Sequence, residues 1–179
     1  MMTPILLNYR YQVIRVLGSG GFGETFLAED TQMPAKRRCV IKLLKPVADN
    51  PQVYQLVQER FQREAAILEE LGEGNSQIPS LYAYFCEDGQ FYLAQEYIEG
   101  QTLIEKLRQY GTLSESSVKE ILVSILPVLN YVHSKGIVHR DIKPDNILIR
   151  NSNQQPVLID FGAVKETVAT VVTASGNSS

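Results

Sequence analysis

The chain has 179 residues, 44% hydrophobic and 21% charged, an ordinary mix that supports a packed core and excludes global disorder. A net charge of −3 argues against a general nucleic-acid binder, and no apolar run reaches the ~18 residues needed to span a bilayer. Cys39 and Cys86 have no CxxC spacing and no histidine cluster beside them, so they read as small buried hydrophobes in a reduced, cytoplasmic setting.

Residues 1–10 form an N-terminal extension whose apolar run is too short for a signal peptide. Tyr11 to Leu17 alternates as a strand does and runs into Gly18, Gly20, Gly21, Phe22 and Gly23, with a second strand-like run from Thr25 to Glu29. Glycines at a hairpin tip let backbone N–H groups approach phosphate oxygens, and Phe22 is placed to shield them. A dinucleotide-binding loop would need a helix next, whereas TFLAE is strand-like. A plain glycine hairpin stays open for this stretch taken alone.

Arg38 to Leu44 is an apolar strand with one lysine, Lys42, which either snorkels to solvent or faces a phosphate and needs a carboxylate to hold it. The Lys36-Arg37-Arg38 run reads as a solvated edge or turn. Asn50 and Pro51 open a helix to about Leu71, with Phe61, Ala65 and Leu68 on one face and Glu64 beside them. Glu64 is either solvent-exposed or the partner of Lys42. Leu81 to Cys86 and Phe91 to Ile98 form a hairpin about Asp88-Gly89, and Gly100 then suggests a break. Thr102 and Glu105 form a capping box for a short helix to about Tyr110. A longer helix runs from near Ser114 to near Lys135, ended by Gly136, with Pro127 kinking or loosening one turn. Its stripe is Val118, Ile121, Leu122, Ile125, Leu129 and Val132.

From Ile137 to Gly162 short β-prone runs separate His139-Arg140-Asp141, Lys143, Asn146 and Asp160-Phe161-Gly162. That layout suits phosphoryl transfer: a carboxylate to take a hydroxyl proton, a cation for the moving phosphoryl group, and hard oxygens for Mg²⁺.

Taken in order, LGSGGFGETF, CVIK, the Glu64 helix, QEYIEG, HRDIKPDN and DFG resemble the protein kinases, most of all the bacterial relatives of the eukaryotic Ser/Thr kinases. The resemblance covers Tyr11 to about Lys165. It implies an α+β, bilobal protein-kinase-like fold: a five-stranded antiparallel N-lobe sheet with one helix, and an incomplete, mainly helical C-lobe. The N-lobe and hinge would occupy 11–98, the partial C-lobe 99–165, and the activation segment 166–179.

The resemblance also assigns roles. Gly18, Gly20, Gly21, Phe22, Gly23 and Lys42 would hold ATP phosphates, with Lys42 paired to Glu64. Leu17, Thr25, Val40 and Leu148 would wall the adenine, which the Glu96 carbonyl and Ile98 amide would bind, with Gln95 as gatekeeper. Asp141 would be the base, Lys143 the phosphate contact, and Asn146 and Asp160 the Mg²⁺ ligands. His139, Phe161 and Leu68 would stack between the lobes. Protein Ser/Thr hydroxyls are the implied substrate.

Thr25 and Val40 depart from the common valine and alanine of the family, each worth at most about 1 kcal/mol at the adenine pocket. Only 17 residues, 179 − 162, follow Gly162, with nothing resembling the substrate-binding helices. The expectation is a chain cut within the activation segment, its long helix exposing apolar surface that a partner protein would cover. Such a chain is either a kinase or a catalytically impaired ATP-binding module with a regulatory or scaffolding role.

Overall fold

A computed structural model of the chain describes residues 5–20, 23–45 and 50–166. Gly21, Phe22 and the expected activation segment beyond 166 lie outside the described residues. The small lobe is built on an antiparallel sheet of β1 (Leu6–Leu7), β2 (Tyr11–Gly20), β3 (Gly23–Asp30), β4 (Arg38–Leu44), β5 (Leu81–Glu87) and β6 (Gln90–Glu96), in the order β1-β2-β3-β4-β6-β5. The five expected strands are present. To them is added β1, a two-residue strand pairing Leu6 with Gln12 and Leu7 with Tyr11, too short for alternation to reveal.

The sheet curls until its opposite edges meet. Tyr11 of β2 stacks on Phe85 of β5 at 5.8 Å, Phe85 stacks on Tyr92 at 5.1 Å, and the Asn8 N–H reaches both carboxylate oxygens of Glu87, at 3.0 and 3.1 Å. Ala28, Cys39, Ile41 and Ala94 complete this inner core. The strand parity that buries Cys39 and Ile41 sends Val40 and Lys42 the other way, towards the cleft.

The helix α1 (Pro51–Gly72) starts where the sequence signals it: the Asn50 side chain accepts from the amides of Gln52 and Val53 at 3.1 and 3.2 Å. The β5–β6 turn puts Asp88 and Gly89 in the left-handed region, at φ 49° and 75°, as a two-residue hairpin requires. Beyond the sheet come β7 (Gly100–Thr102), α2 (Leu103–Tyr110) with its capping box formed, and α3 (Glu115–Ser134), which runs unbroken through Pro127 and ends before Gly136 at φ 72°. β8 (Ile137–Val138), a 3₁₀ turn at Pro144–Asn146, β9 (Ile147–Arg150), β10 (Pro156–Leu158) and β11 (Lys165–Glu166) follow. A second core joins the lobes: Phe61, Ala65, Leu68 and Leu71 of α1 pack with Ile125, Val128 and Val132 of α3 and with Phe161.

Three expectations are corrected. Cys86 is exposed, because it points outward from the edge strand β5. The buried stripe of α3 runs through Ile125, Val128 and Val132, flanked by half-buried Ile121 and Leu129, while Val118 and Leu122 are 42% and 49% exposed. Gly100 is no chain break: it sits in β7, and a Cβ there would run into the Ile149 carbonyl of β9.

Candidate active site

Strand β4 and helix α1 bring Lys42 and Glu64 together, twenty-two residues apart in sequence: the Lys42 ammonium donates to Glu64 Oε1 and stands 3.9 Å from Asp160 Oδ1. Glu64 is buried on the inner face of α1, so neither the snorkelling lysine nor the solvated glutamate describes the molecule. Burial alone would push the Lys42 pKa down, but Glu64 and then Asp160 outweigh it and hold the ammonium above its ordinary value. Lys42 therefore stays charged in the cleft.

The second cluster follows β8. Asp141 receives Lys143 Nζ at 2.9 Å and Asn146 Nδ2 at 2.8 Å on the same oxygen, Oδ2, while Asn146 also donates to the Asp141 backbone carbonyl at 2.9 Å. The Lys143 contact, aided by Asn146, keeps the Asp141 carboxyl below the usual range. Arg140 and Asp160 are non-glycine residues at φ 69° and 62°, a strained conformation that the surrounding contacts must hold. Buried His139 meets Phe161 edge-on at 4.9 Å, and its Nδ1 accepts from the Asp141 N–H at 3.2 Å. Burial pushes the imidazole pKa down, which keeps the ring neutral and able to accept that bond.

Two cavities share Thr25, Lys42 and Asp160 and so form one cleft. The first, about 460 Å³, is walled by Leu17, Val40 and Leu148, bounded by Gln95, Glu96 and Ile98, and floored by Asn146. The second, about 520 Å³, lies under Gly18, Gly20 and Gly23 and reaches Glu64. A Cβ at Gly18 or Gly20 would meet nothing within 4 Å, so protein packing does not demand glycine there. At Gly23 a Cβ would strike the Leu43 carbonyl, so that glycine serves the sheet. Asp141 and Lys143 line neither cavity and join the cleft through Asn146. The sequence reading missed Arg15, Asp145 and Ile159 in the first cavity and Arg60 in the second. Asp145 and Ile159 sit beside Asn146 and Asp160, which is the one signal that pointed to them.

A curled sheet whose strand lysine pairs with a buried helix glutamate, set over the loops that carry Asp141, Asn146 and Asp160, defines the protein kinase class of fold. Residues 11–177 match the family model described as protein kinase domain, and the chain belongs to that family. It is 66% identical over 172 residues to serine/threonine-protein kinase PknA of Nostoc sp., covering 96% of this chain and 30% of that protein. It is 57% identical over 179 residues to serine/threonine-protein kinase C of Synechocystis sp., covering 99% of this chain and 34% of that one. The chain thus spans about a third of the length of these curated relatives. Among solved structures, one titled "PpkA-294 apo form" superimposes with a TM-score of 0.79 at 26% identity, covering 90% of this chain and 61% of that one. No helix among the described residues is long and apolar enough to cross a membrane.

Proposed function

We propose that the chain carries the ATP- and Mg²⁺-dependent transfer of a γ-phosphate to Ser/Thr hydroxyls of proteins, in a cytoplasmic setting that its free cysteines suit. The observation that carries the reading is the Lys42–Glu64 pair held beside Asp160 at the junction of the two cavities. The larger apolar walls, Leu17, Val40 and Leu148, suit the faces of a purine, with Thr25 beside them. The Glu96 carbonyl and Ile98 amide would read its edge, and Gln95 would stand at the back of the pocket. The open space over Gly18 and Gly20 suits phosphate oxygens, with Lys42 supplying the charge; by their place in the sequence Gly21, Phe22 and Gly23 would contribute to the same phosphate site.

Asn146 and Asp160 offer a carbonyl oxygen and a carboxylate, hard donors that suit Mg²⁺, an ion that keeps several waters and phosphate oxygens around it. Bound there it would neutralise charge on the phosphates. Asn146 donates its amide to Asp141, which leaves its oxygen available to a cation. Asp141, ionised at neutral pH, would accept the proton of the attacking hydroxyl, and Lys143 would bear on the transferring group. Catalysis in this reading is positioning and charge neutralisation, with no covalent step on the protein. Lys143 on the same carboxylate oxygen as Asn146 keeps the base aimed.

The test is transfer of label from γ-labelled ATP to a generic Ser/Thr substrate. Asp141→Asn should lower transfer by about 10²–10⁴-fold and leave ATP affinity within about threefold. A second reading, an ATP-binding module, draws on the exposed Val123 and Leu126 of α3, 72% and 58% accessible beside Leu122, which suit cover by a partner protein. Mg²⁺-dependent ATP binding by the wild-type chain with no transfer above Asp141→Asn would select it.

A further inference from the structure

Behind the connector between the lobes, a residue with no place in the cleft ties three segments together. Arg150, the last residue of β9, donates from Nη2 to the Ser76 carbonyl at 2.7 Å and holds Nη1 3.6 Å from Glu96 Oε1. Glu96 closes a ring with Ser80: its N–H donates to the Ser80 carbonyl at 2.8 Å, and its Oε2 accepts from the Ser80 N–H at 3.2 Å. Just past Arg150, the Asn151 N–H donates to the Glu99 carbonyl at 2.8 Å, and Arg150 itself lies opposite Gly100 in the β7–β9 ladder. The four residues Glu96 to Glu99 are thus pinned at both ends by the end of β9.

The segment carrying Ser76 is itself fixed to the large lobe. Gln77 Nε2 donates to the Ser124 carbonyl and hydroxyl, each at 3.1 Å, and to the Pro156 carbonyl at 2.8 Å, while its own carbonyl accepts from the Leu158 N–H at 2.8 Å. Arg150 therefore links the connector to an anchored strut rather than to a loose loop. The ion pair is weak in itself, because its 3.6 Å separation is longer than a hydrogen bond and it borders a hollow of about 490 Å³. Its consequence is geometric: a planar fork that serves Ser76 and Glu96 at once fixes the peptide at Glu96 before a ligand arrives.

We infer that Arg150 is a positioning residue for base recognition, orienting through Glu96 and the Ser76 carbonyl the backbone that meets the purine edge. The inference rests on the nucleotide reading of the cleft given above. It assigns Arg150 no contact with nucleotide and no part at the phosphate end, where Lys42, Asn146 and Asp160 act.

The experiment is calorimetric titration of the whole chain with Mg²⁺-ATP, adenosine and Mg²⁺-tripolyphosphate. Arg150→Ala should weaken adenosine and ATP by the same factor, about three- to tenfold, and leave tripolyphosphate unchanged. Arg150→Lys, which can serve one of the two acceptors but not both, should fall between Arg150→Ala and wild type. Glu96→Gln keeps an acceptor for the Ser80 N–H and loses the ion pair, so a smaller loss in the same direction is expected. Equal adenosine affinity in wild type and Arg150→Ala, or a loss shared by tripolyphosphate, overturns the inference. Circular dichroism checks that each variant is folded, and if Arg150→Ala is not, the ordering of Arg150→Lys and Glu96→Gln decides by the same criteria. A wild-type chain that binds none of the three ligands overturns the nucleotide reading itself.

Discussion

Asp30 and Glu64 are both buried acids of the small lobe, each paired to a cation, yet their surroundings are opposite in character. Asp30 is saturated. It accepts from Arg10 Nε and Nη2, both at 2.8 Å, and from the Gln32 N–H at 3.3 Å, with Arg37 Nη2 a further 3.6 Å away. Arg37 is in turn stacked 3.6 Å over the Tyr82 ring. Two cations close around one carboxylate, and none of these residues lines the cleft. At the other end of the sheet the count reverses: one ammonium, Lys42, faces two carboxylates, and Asp160 is left 51% exposed at the cleft. A closed charge set holds structure, whereas an open one with surplus acceptors has capacity for a ligand.

The largest effect that separates the two sets is on transfer. Lys42→Met should lower γ-phosphate transfer by about 10²–10³-fold, because it removes the cation placed for the phosphates and releases Glu64. The same measurement on Asp30→Ala, made on folded protein, should differ little from wild type. Equal losses in both variants would break the distinction. A Lys42→Met/Glu64→Gln double variant sharpens it: removing the orphaned charge should recover stability lost by Lys42→Met, and transfer should stay low.

On stability the order inverts. Asp30→Ala strips a buried acceptor from two arginines that keep some access to water, so urea unfolding should show a loss of about 3 kcal/mol. The pH dependence has a definite sign. The Arg10 hydrogen bonds hold the Asp30 carboxyl below its usual range, so its folded value lies under the unfolded value of about 3.9. Its contribution is present in full above pH ~4 and is lost as pH falls through the folded value. Asp30→Asn should therefore unfold with a flatter acid limb than wild type, the two curves converging at the lowest pH. Asp141 is shifted in the same direction, but its carboxylate and the Lys143 ammonium that mainly causes the shift are 35% and 48% exposed, so it should add little to that limb.

How much of this was legible in the sequence follows from the range of the interactions. The caps at Asn50 and Thr102, the Asp88-Gly89 turn and the order of the cleft motifs are local patterns, and all are present. Glu64 could be named as a partner but not separated from its exposed neighbours, because helical spacing fixes a face and not what lies across from it. The stripe of α3 was misjudged for the same reason: Leu122 and Val128 are both apolar, and only the packing of α1 and Phe161 decides which is buried. Arg10 and Asp30 carried no motif, and Arg37 stood in a basic run that reads as a solvated edge or turn, whereas it stacks on Tyr82 and faces Asp30. Their association depends on the β2–β3 register, which sets Tyr11 opposite Asp30, and on the Asp30 N–H bond to the Arg37 carbonyl. Arg150 was equally silent, since its partners are a backbone carbonyl seventy-four residues away and a hinge side chain.

The smallest effect tests whether distance alone could have told the two sets from ordinary surface pairs. Lys119 and Glu115 lie one turn apart on α3 at 2.6 Å, closer than Lys143 is to Asp141, but their side chains are 70% and 82% exposed. Water screens the attraction, and holding two long side chains in one geometry offsets much of what is left. Lys119→Ala should change unfolding stability by less than about 0.5 kcal/mol, and that small difference should shrink further in 1 M salt. A loss comparable with that of Asp30→Ala would mean that proximity, and not the exclusion of water and the saturation of donors, sets the strength of charge pairs in this chain.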